Sequence, residues 1–316
     1  MDAELTKKIY SNNDILKDKQ EGGKNSWKVT LRTMLHKTND ADRLVPASLA
    51  AMTSQDLLPV YEGKCGWQWD HRYSTYQYHE WKLVSEDLKN PSVEINTEYM
   101  LARSEYEKIS KAYSLLQSGK INSYLGFRRV SRSTDERTMV ACILPSLPST
   151  YGWILSLGLD SYEMAQLCGI YNSLVFDYLV RNSISQPSIP QGVIEQIALP
   201  LAHEVDRGFS IPRSLELSYT SFSLACWAQD LGYDGPPFPF DPERRALLRA
   251  ELDAYYANLY GLSRDELRYI LDPADLMGPD YPSETFRVLK NNELRQFGEY
   301  RTQRLVLEAW DRLFGG

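Results

Sequence analysis

The pattern of the sequence changes near residue 210, and this change constrains the fold more than any other feature. Before that point, short strand-like runs alternate with turn signals and helical segments, whereas afterwards the sequence favours successive helices. Asp241 followed by Pro242, and Ser263 followed three residues later by Glu266, are typical helix starts. We therefore predict an α+β fold with a unit over 1–210 and an all-helical C-terminal region over 211–316.

Within residues 1–210, the clearest prediction is a hairpin-like pair of strands over 123–130 and 138–144, joined by the polar loop 131–137. Apolar side chains at helical spacing predict one helix over 164–182, and a polar loop, SISQPSIPQG, follows it. The remaining predictions are strands over 27–34, 58–69 and 96–101 and helices over 47–58, 103–117, 192–198, 214–231, 241–260 and 296–313, with a loop over 272–283.

Length and apolar patterning indicate a globular chain of 316 residues, enough for a sizeable core. The apolar runs are far shorter than the roughly 20 residues of a membrane helix, and no secretory signal stands at the N-terminus. We therefore expect a cytoplasmic protein with no membrane partner. No pair of cysteines has the spacing of a zinc site, so we also expect no metal. We expect four ordinary buried thiols in a reducing compartment: Cys65, Cys142, Cys168 and Cys226.

The distribution of charge is uneven. The net charge of −7 argues against a nucleic-acid partner, because phosphate contacts require Lys and Arg. Between residues 120 and 137, however, basic residues outnumber acidic ones, and local sign matters more than the total for docking a polyanion. The basic residues of this stretch are Lys120, Arg128, Arg129, Arg132 and Arg137, and the acidic ones are Asp135 and Glu136.

Several catalytic motifs are missing from the sequence. No G-x-G turn for S-adenosylmethionine occurs, and the pair Pro236-Pro237 follows Gly235 rather than the Asn or Asp of an adenine-holding loop. Glu62 and Lys64 have the E-x-K spacing of some nucleases, a short pattern that arises often by chance. Asp70-His71 offers an acid–base or metal-binding pair, although such neighbours are more often structural. We expect no catalytic residue in the chain.

A family resemblance extends over nearly the whole chain. LPVYEGKCGWQWDHRYSTY (58–76) and YLGFRRVSRSTDERTMVACILP (124–145) resemble consecutive segments of type IIG, Eco57I-like adenine methyltransferases, including relatives in DISARM and BREX phage-defence systems. YNSLVFDYLVRNSISQPSIPQGVIEQIALP (171–200) is similar to the closing helix–loop–helix of their target-recognition domain and of type I specificity subunits. The segments 231–272 and 297–311 resemble the helical tail of these enzymes. Cys65 stands where the family usually has Met.

The resemblance implies a type I specificity-subunit-like target-recognition domain over 1–210, followed by a helical region over 211–316. The implied function is DNA sequence recognition for an adenine-N6 DNA methyltransferase, in restriction-modification or phage defence. The methyltransferase core that precedes this region in the family has no counterpart in the sequence. We therefore expect two partners, double-stranded DNA and a methyltransferase core chain or domain, and no cofactor in this chain, with S-adenosylmethionine held by that core. The chain would then be a split subunit or a gene fragment.

Side chains that can donate to phosphates or to base edges are the candidate DNA contacts. Guanidinium groups bind phosphate or guanine, with phosphate the commoner target, and Gln can bind adenine through two hydrogen bonds. The candidates are Lys64, His71, Arg72, Arg128, Arg129, Arg132, Arg137, Gln186, Ser188 and Gln191.

Structural roles stand beside these assignments. Glu136 and Arg137 equally suit an internal salt-bridge network, and Asp70 with Arg72 suits a buried pair. The aromatic residues between Tyr61 and Tyr76 suit a core better than a base-stacking platform. Asn172 and Asp177 are expected to hold their helix against the sheet. The alternative functions are a metal-dependent nuclease that uses Glu62, Asp70 and His71, and a fragment or assembly subunit that does not bind DNA.

Overall fold

The protein is described by a computed structural model over residues 2–16, 27–116, 122–282 and 285–315, so Lys120 lies outside the described residues. The fold is mixed α and β, with small sheets and a helical C-terminal region. The strands are β1 Asp14–Ile15, β2 Thr30–Arg32, β3 Leu44–Pro46, β4 Leu57–Pro59, β5 Ser74–Gln77, β6 Glu80–Leu83, β7 Tyr99–Ala102, β8 Ser123–Arg128, β9 Ala141–Pro145, β10 Trp153–Leu157 and β11 Ala198–Leu199.

The largest sheet has the order β2-β10-β8-β9, and all its pairs are antiparallel. Its β8–β9 pair is the predicted hairpin, with Gly126 opposite Cys142. Strands β9 and β10 are buried along their whole length, which explains why they are continuous apolar runs rather than alternating ones. The smaller sheets are β3-β7-β4, β5-β6 and β1-β11.

The helices pack against the sheets and form the C-terminal region, and α3 lies against β8 and β9. They are α1 Asp2–Asn12, α2 Arg103–Ser114, α3 Ser161–Asn172, α4 Leu174–Ser183, α5 Gln191–Ile194, α6 Arg207–Ser218, α7 Ala225–Asp230, α8 Pro242–Leu259, α9 Arg264–Leu271, α10 Pro273–Met277, α11 Arg287–Phe297 and α12 Arg301–Phe314. Among the described residues, no helix combines the length and the apolar character that crossing a bilayer requires.

The helix predicted over 164–182 is divided into α3 and α4 at Ser173. Ser173 has an extended backbone, and its hydroxyl oxygen accepts a hydrogen bond from the backbone N–H of Phe176 at 3.2 Å. The same hydroxyl donates to the carbonyl of Ile170 at 2.7 Å. One serine thus ends α3 and caps α4, which apolar spacing alone does not reveal because both helices are buried.

The helix starts predicted in the C-terminal region are confirmed. The Asp241 carboxylate caps α8, and Ser263 with Glu266 forms a reciprocal capping box at α9. The helix predicted over 214–231 is wrong, because α6 ends at Ser218 and α7 begins only at Ala225. The predicted loop over 272–283 contains α10. The last predicted helix, over 296–313, corresponds to α12, which begins five residues later, and α11 was not predicted.

Two further predictions need correction. The segment 47–58 forms a short 3-10 helix, Ala47–Met52, followed by the start of β4. Only Leu58 and Pro59 of the predicted strand over 58–69 belong to a strand. Cys226 is exposed, whereas the other three thiols are buried as expected.

A single hydrophobic core crosses residue 210. Leu125 of the sheet, Ile170 of α3, Leu252 of α8 and Val306 of α12 belong to the same buried cluster. Helix α3 contacts α8 at Gly169, where an added Cβ would lie 2.3 Å from the Tyr256 hydroxyl oxygen. The target-recognition unit and the helical region expected from the sequence therefore pack together as one body.

We predict that Gly169→Ala destabilises the protein, because the added methyl group collides with the buried Tyr256 ring. Overpacking of this kind costs about 1–3 kcal/mol. Gly192→Ala is the matched control, since a Cβ on Gly192, also in a helix, meets nothing within 4 Å. Chemical denaturation would measure both free energies of unfolding, and equal values for the two variants would refute the tight α3–α8 contact.

Candidate nucleic-acid interface

A tight turn over 67–70 organises one end of the sheet. The backbone N–H of Trp67 donates to the Asp70 carbonyl at 2.8 Å, and the N–H of Asp70 donates back to the Trp67 carbonyl at 3.1 Å. Trp69 has a φ of 65°, which is uncommon for a residue with a side chain. Its N–H donates to the Ala141 carbonyl at 3.0 Å and its ring is buried, so packing against β9 holds this conformation.

Two arginines follow each other at the end of β8, beside this turn. The Arg128 guanidinium lies 5.6 Å from the ring centroid of Trp67, and the Arg129 guanidinium lies 5.7 Å from that of Tyr151. Tyr151 in turn stacks on His36, with ring centroids 4.5 Å apart. Both arginines are half-buried, and burial lowers the pKa of Arg128. The aromatic rings hold the guanidinium groups without neutralising their charge.

The backbone before Lys64 and the polar loop after α4 are both connected to the backbone of Arg129. Gly63 packs on Gly152, such that an added Cβ would be 2.9 Å from the Gly152 carbonyl oxygen, and the N–H of Arg129 donates to that same carbonyl at 3.0 Å. The Arg129 carbonyl accepts from the N–H of Ile189 at 2.8 Å. This bond anchors the loop that carries the expected contacts Gln186, Ser188 and Gln191, of which Gln186 is exposed and the other two are half-buried.

We define the cationic face as Lys64, Arg128, Arg129 and Arg132; Lys64 and Arg132 are exposed. Over the residues that the structure describes, no carboxylate forms an ion pair with any of these four side chains. The helical region is different, because most of its surface arginines are paired with carboxylates. Its pairs include Arg213–Glu251, Arg244–Glu216, Arg264–Asp311, Arg268–Asp275, Arg301–Glu243 and Arg304–Glu299.

His71 and Arg72, expected as DNA contacts, lie in the interior. The His71 ring is fully buried, and its Nε2 is 2.8 Å from the Ser223 hydroxyl oxygen. Arg72 donates to the backbone carbonyls of Asn90 and Val93 at 2.7 and 2.6 Å, and to that of Thr220 at 2.8 Å. Because these groups have no access to an external phosphate, the expectation that His71 and Arg72 contact DNA is wrong.

Arg137 is also buried, and it belongs to the internal network that we left open as an alternative. Its Nε donates to the Asp177 carboxylate at 3.0 Å, and one terminal nitrogen donates to the Asn172 carbonyl at 2.6 Å. Asp177 also accepts from Arg181 and from the backbone N–H groups of Thr138 and Met139. This carboxylate therefore fixes the end of the loop 131–137 against α4, and Arg137 leaves the interface.

The helix-to-sheet roles expected for Asn172 and Asp177 are confirmed. The Asn172 amide nitrogen donates to the Ala141 carbonyl at 2.9 Å, while its oxygen accepts from the Ala141 N–H at 3.0 Å. The Gln68 amide donates to the carbonyls of Met139 and Asn172, at 3.1 and 3.3 Å. The break between α3 and α4 thus attaches to both the sheet and the 67–70 turn.

The acidic residues of the nuclease alternative are separately neutralised. Asp70 is buried in an ion pair with Lys89, and Arg72 reaches Asp70 only through its backbone N–H, at 3.0 Å. Glu62 is buried in an ion pair with Lys37. No group of three or more potential metal ligands occurs among the described His, Cys, Asp and Glu side chains. The sequence indicated Asp70 as a candidate, but no local pattern connects it to its ion-pair partner Lys89.

Of the aromatic residues between 61 and 76, Tyr61 and Trp69 belong to the core, whereas Trp67 and Tyr73 are half-exposed and stack on each other at 5.3 Å. Sequence reasoning missed the pairing of Trp67 and Tyr151 with the arginines, because each pair joins distant parts of the chain. The chain matches no protein-family model and no curated protein.

We predict that Asp177→Asn costs about 3–5 kcal/mol of unfolding free energy, because removing this buried carboxylate charge leaves Arg137 and Arg181 uncompensated. Asp311→Asn, which breaks the exposed pair with Arg264, is the control and should leave stability nearly unchanged. Urea denaturation monitored by circular dichroism would compare them. A mild effect of Asp177→Asn would contradict the role of this carboxylate.

A second prediction concerns pH. Burial, with the nearby charges of Arg72 and Lys89, lowers the pKa of His71 from 6.5 to about 3, against the opposing effect of Asp70. As the pH falls, His71 is protonated in the unfolded chain before it is protonated in the folded protein. The unfolding free energy therefore falls below pH 6.5 by up to about 1.4 kcal/mol per pH unit.

His71→Gln keeps a polar group near Ser223 and removes the titration. We expect its unfolding free energy to fall less steeply between pH 6.5 and 4 than that of the parent chain. Parallel slopes for the two proteins over this range would show that His71 does not carry the effect.

Proposed function

We propose that the cationic face binds the backbone of double-stranded DNA. The observation that carries this proposal is that its basic side chains form no ion pair with any described carboxylate, in a chain whose net charge is −7 and whose helical arginines are largely paired. A polyanion supplies the missing counter-charge, and an uncompensated cluster attracts it despite the unfavourable total charge.

The four basic side chains have different expected tasks. Arg132 and Lys64 are exposed and flexible in reach, which suits phosphate contacts that position the duplex. Arg128 and Arg129 are held on aromatic rings, so less conformational freedom is lost when they bind, which suits bidentate contacts to guanine or phosphate. Gln186, on the loop anchored to Arg129, is the candidate for reading a base edge.

We further propose that the chain is the target-recognition part of an adenine-N6 DNA methyltransferase, in restriction-modification or phage defence. The support is the resemblance of five consecutive segments to type IIG and type I recognition regions, together with the order of a strand-rich part followed by a helical region. In this proposal the chain is not catalytic alone. A methyltransferase core chain or domain holds S-adenosylmethionine and transfers the methyl group, and the complex acts in the cytoplasm.

The helical region has a scaffolding task in this proposal. Because it shares its core with the sheet and holds Arg72 through Thr220, it stiffens the part of the chain that carries the cationic face. Its outward surface is left for contact with the methyltransferase core. Deleting 211–316 would expose this core, so point variants test the interface better than truncation does.

We predict that Arg129→Gln with Arg132→Gln weakens binding to duplex DNA, because two cations without carboxylate partners are removed. Log affinity falls with log salt concentration, and each lost phosphate contact makes this negative slope less steep by about 0.9. Fluorescence anisotropy of a labelled duplex over a salt series measures both affinity and slope.

The matched control is Arg264→Gln with Arg304→Gln, which removes the same charge from arginines already paired with Asp311 and Glu299. We expect the control to bind DNA nearly as the parent does. Equal losses of DNA affinity in the two double variants would show that the change in net charge alone explains the effect. Absence of salt-sensitive binding by the parent chain would favour the alternative of an assembly subunit that does not bind DNA.

A further inference from the structure

A charged cavity of about 330 Å³ lies between the 67–70 turn and helices α8, α11 and α12. Its volume is at the lower end of the range for small-molecule sites, about 300–1,000 Å³. Its walls combine aromatic rings with ionic groups, among them Trp67, Phe240, Arg137, Arg245, Arg249 and Glu293. Neither the cationic face nor the proposed contact with DNA explains this combination.

The acidic groups of the cavity already hold donors from the chain. Glu293 accepts from the backbone N–H and the hydroxyl of Thr302, at 2.7 and 2.6 Å. Asp253 accepts from the N–H of Leu174 at 2.8 Å. Glu136 accepts from the side-chain amide of Asn292 at 2.7 Å. These carboxylates are therefore parts of the scaffold, and a cationic ligand would compete with the chain for their oxygens.

Three arginines of the cavity are likewise engaged. Arg137 is paired with Asp177, Arg301 donates to Glu243 at 2.6 Å, and Arg245 donates to a backbone carbonyl at 2.6 Å while lying over Phe240. Arg249 differs: among the residues described, nothing forms a hydrogen bond or an ion pair with its guanidinium group. Burial and the neighbouring charge of Arg137 lower the pKa of Arg249, against the opposing effects of Asp253, Glu136 and Glu293. Because the net direction is downward, a bound anion would offset part of the cost of burying this charge.

We propose that this cavity binds a nucleoside monophosphate, with Arg249 as the anchor of the phosphate and the aromatic walls as the contact for the base. A guanidinium with free donors on a rigid helix suits a phosphate, which it can bind through two hydrogen bonds. Trp67 already carries Tyr73 and the Arg128 guanidinium on its ring, and Phe240 carries Lys89 and Arg245. The parts of these two side chains that line the cavity therefore offer apolar contact, rather than a free stacking face, to a planar base. This site goes beyond DNA recognition, because its ligand is a free small molecule and its test contains no DNA.

The test uses the full chain with AMP, adenosine and inorganic phosphate as separate probes, in calorimetric titrations supported by thermal shifts. We expect saturable binding of AMP, weaker binding of phosphate, and no binding of adenosine at the same concentration. Losing a charged hydrogen bond costs about 1.5–3 kcal/mol, so Arg249→Gln should weaken AMP by about tenfold or more. Arg249→Lys, which keeps the charge, should recover part of this loss.

The control is Arg244→Gln, on the same helix, because Arg244 points outward and is paired with Glu216. It should bind AMP as the parent does. Absence of AMP binding to the parent chain, or unchanged AMP affinity in Arg249→Gln, overturns the proposal. Adenosine as tight as AMP overturns the phosphate anchor, and phosphate as tight as AMP overturns the base contact. The three probes give these outcomes on the parent chain even if a variant fails to fold.

Discussion

The buried carboxylate of Asp177 is the interaction on which the arrangement of this protein depends. It accepts hydrogen bonds from two arginines and from the backbone that leads into β9, so it joins α4 to the sheet. Through Arg181, which also donates to the Thr285 carbonyl at 2.8 Å, the same network continues into the helical region. The two arginines share this carboxylate and use their other donors on backbone carbonyls, so the network is rigid. The loop that carries Arg132 therefore ends on a fixed support.

Burial, more than composition, separates the two kinds of arginine in the molecule. Arg72 and Arg137 use their donors on backbone carbonyls and on a buried carboxylate, and they hold the fold together. Arg128 and Arg129 are half-buried on aromatic rings, and neither forms an ion pair with a carboxylate of the described residues. This contrast lets a chain of net charge −7 present a local positive field, which is the property that docking of a polyanion requires.

Local signals in the sequence predicted the β8–β9 hairpin and the starts of α8 and α9, because alternation, turns and caps are encoded by neighbouring residues. They failed at Ser173, where apolar spacing continues through a break because both helices are buried. They also failed to distinguish interior from surface charge, which depends on distant partners such as Asn90 and Thr220 for Arg72. The sequence therefore indicated the polar loop and its basic residues, but it did not show that His71, Arg72 and Arg137 are buried.

The central claim, recognition of DNA on behalf of a methyltransferase, is tested most directly by transfer of labelled methyl groups from S-adenosylmethionine to duplex DNA. The reaction would contain this chain, the proposed adenine-methyltransferase core, or both. We expect sequence-specific methylation of adenine only when both are present, and a strong loss when Arg129 and Arg132 are replaced by Gln. Methylation of the same sites at the same rate by the core without this chain would contradict the account.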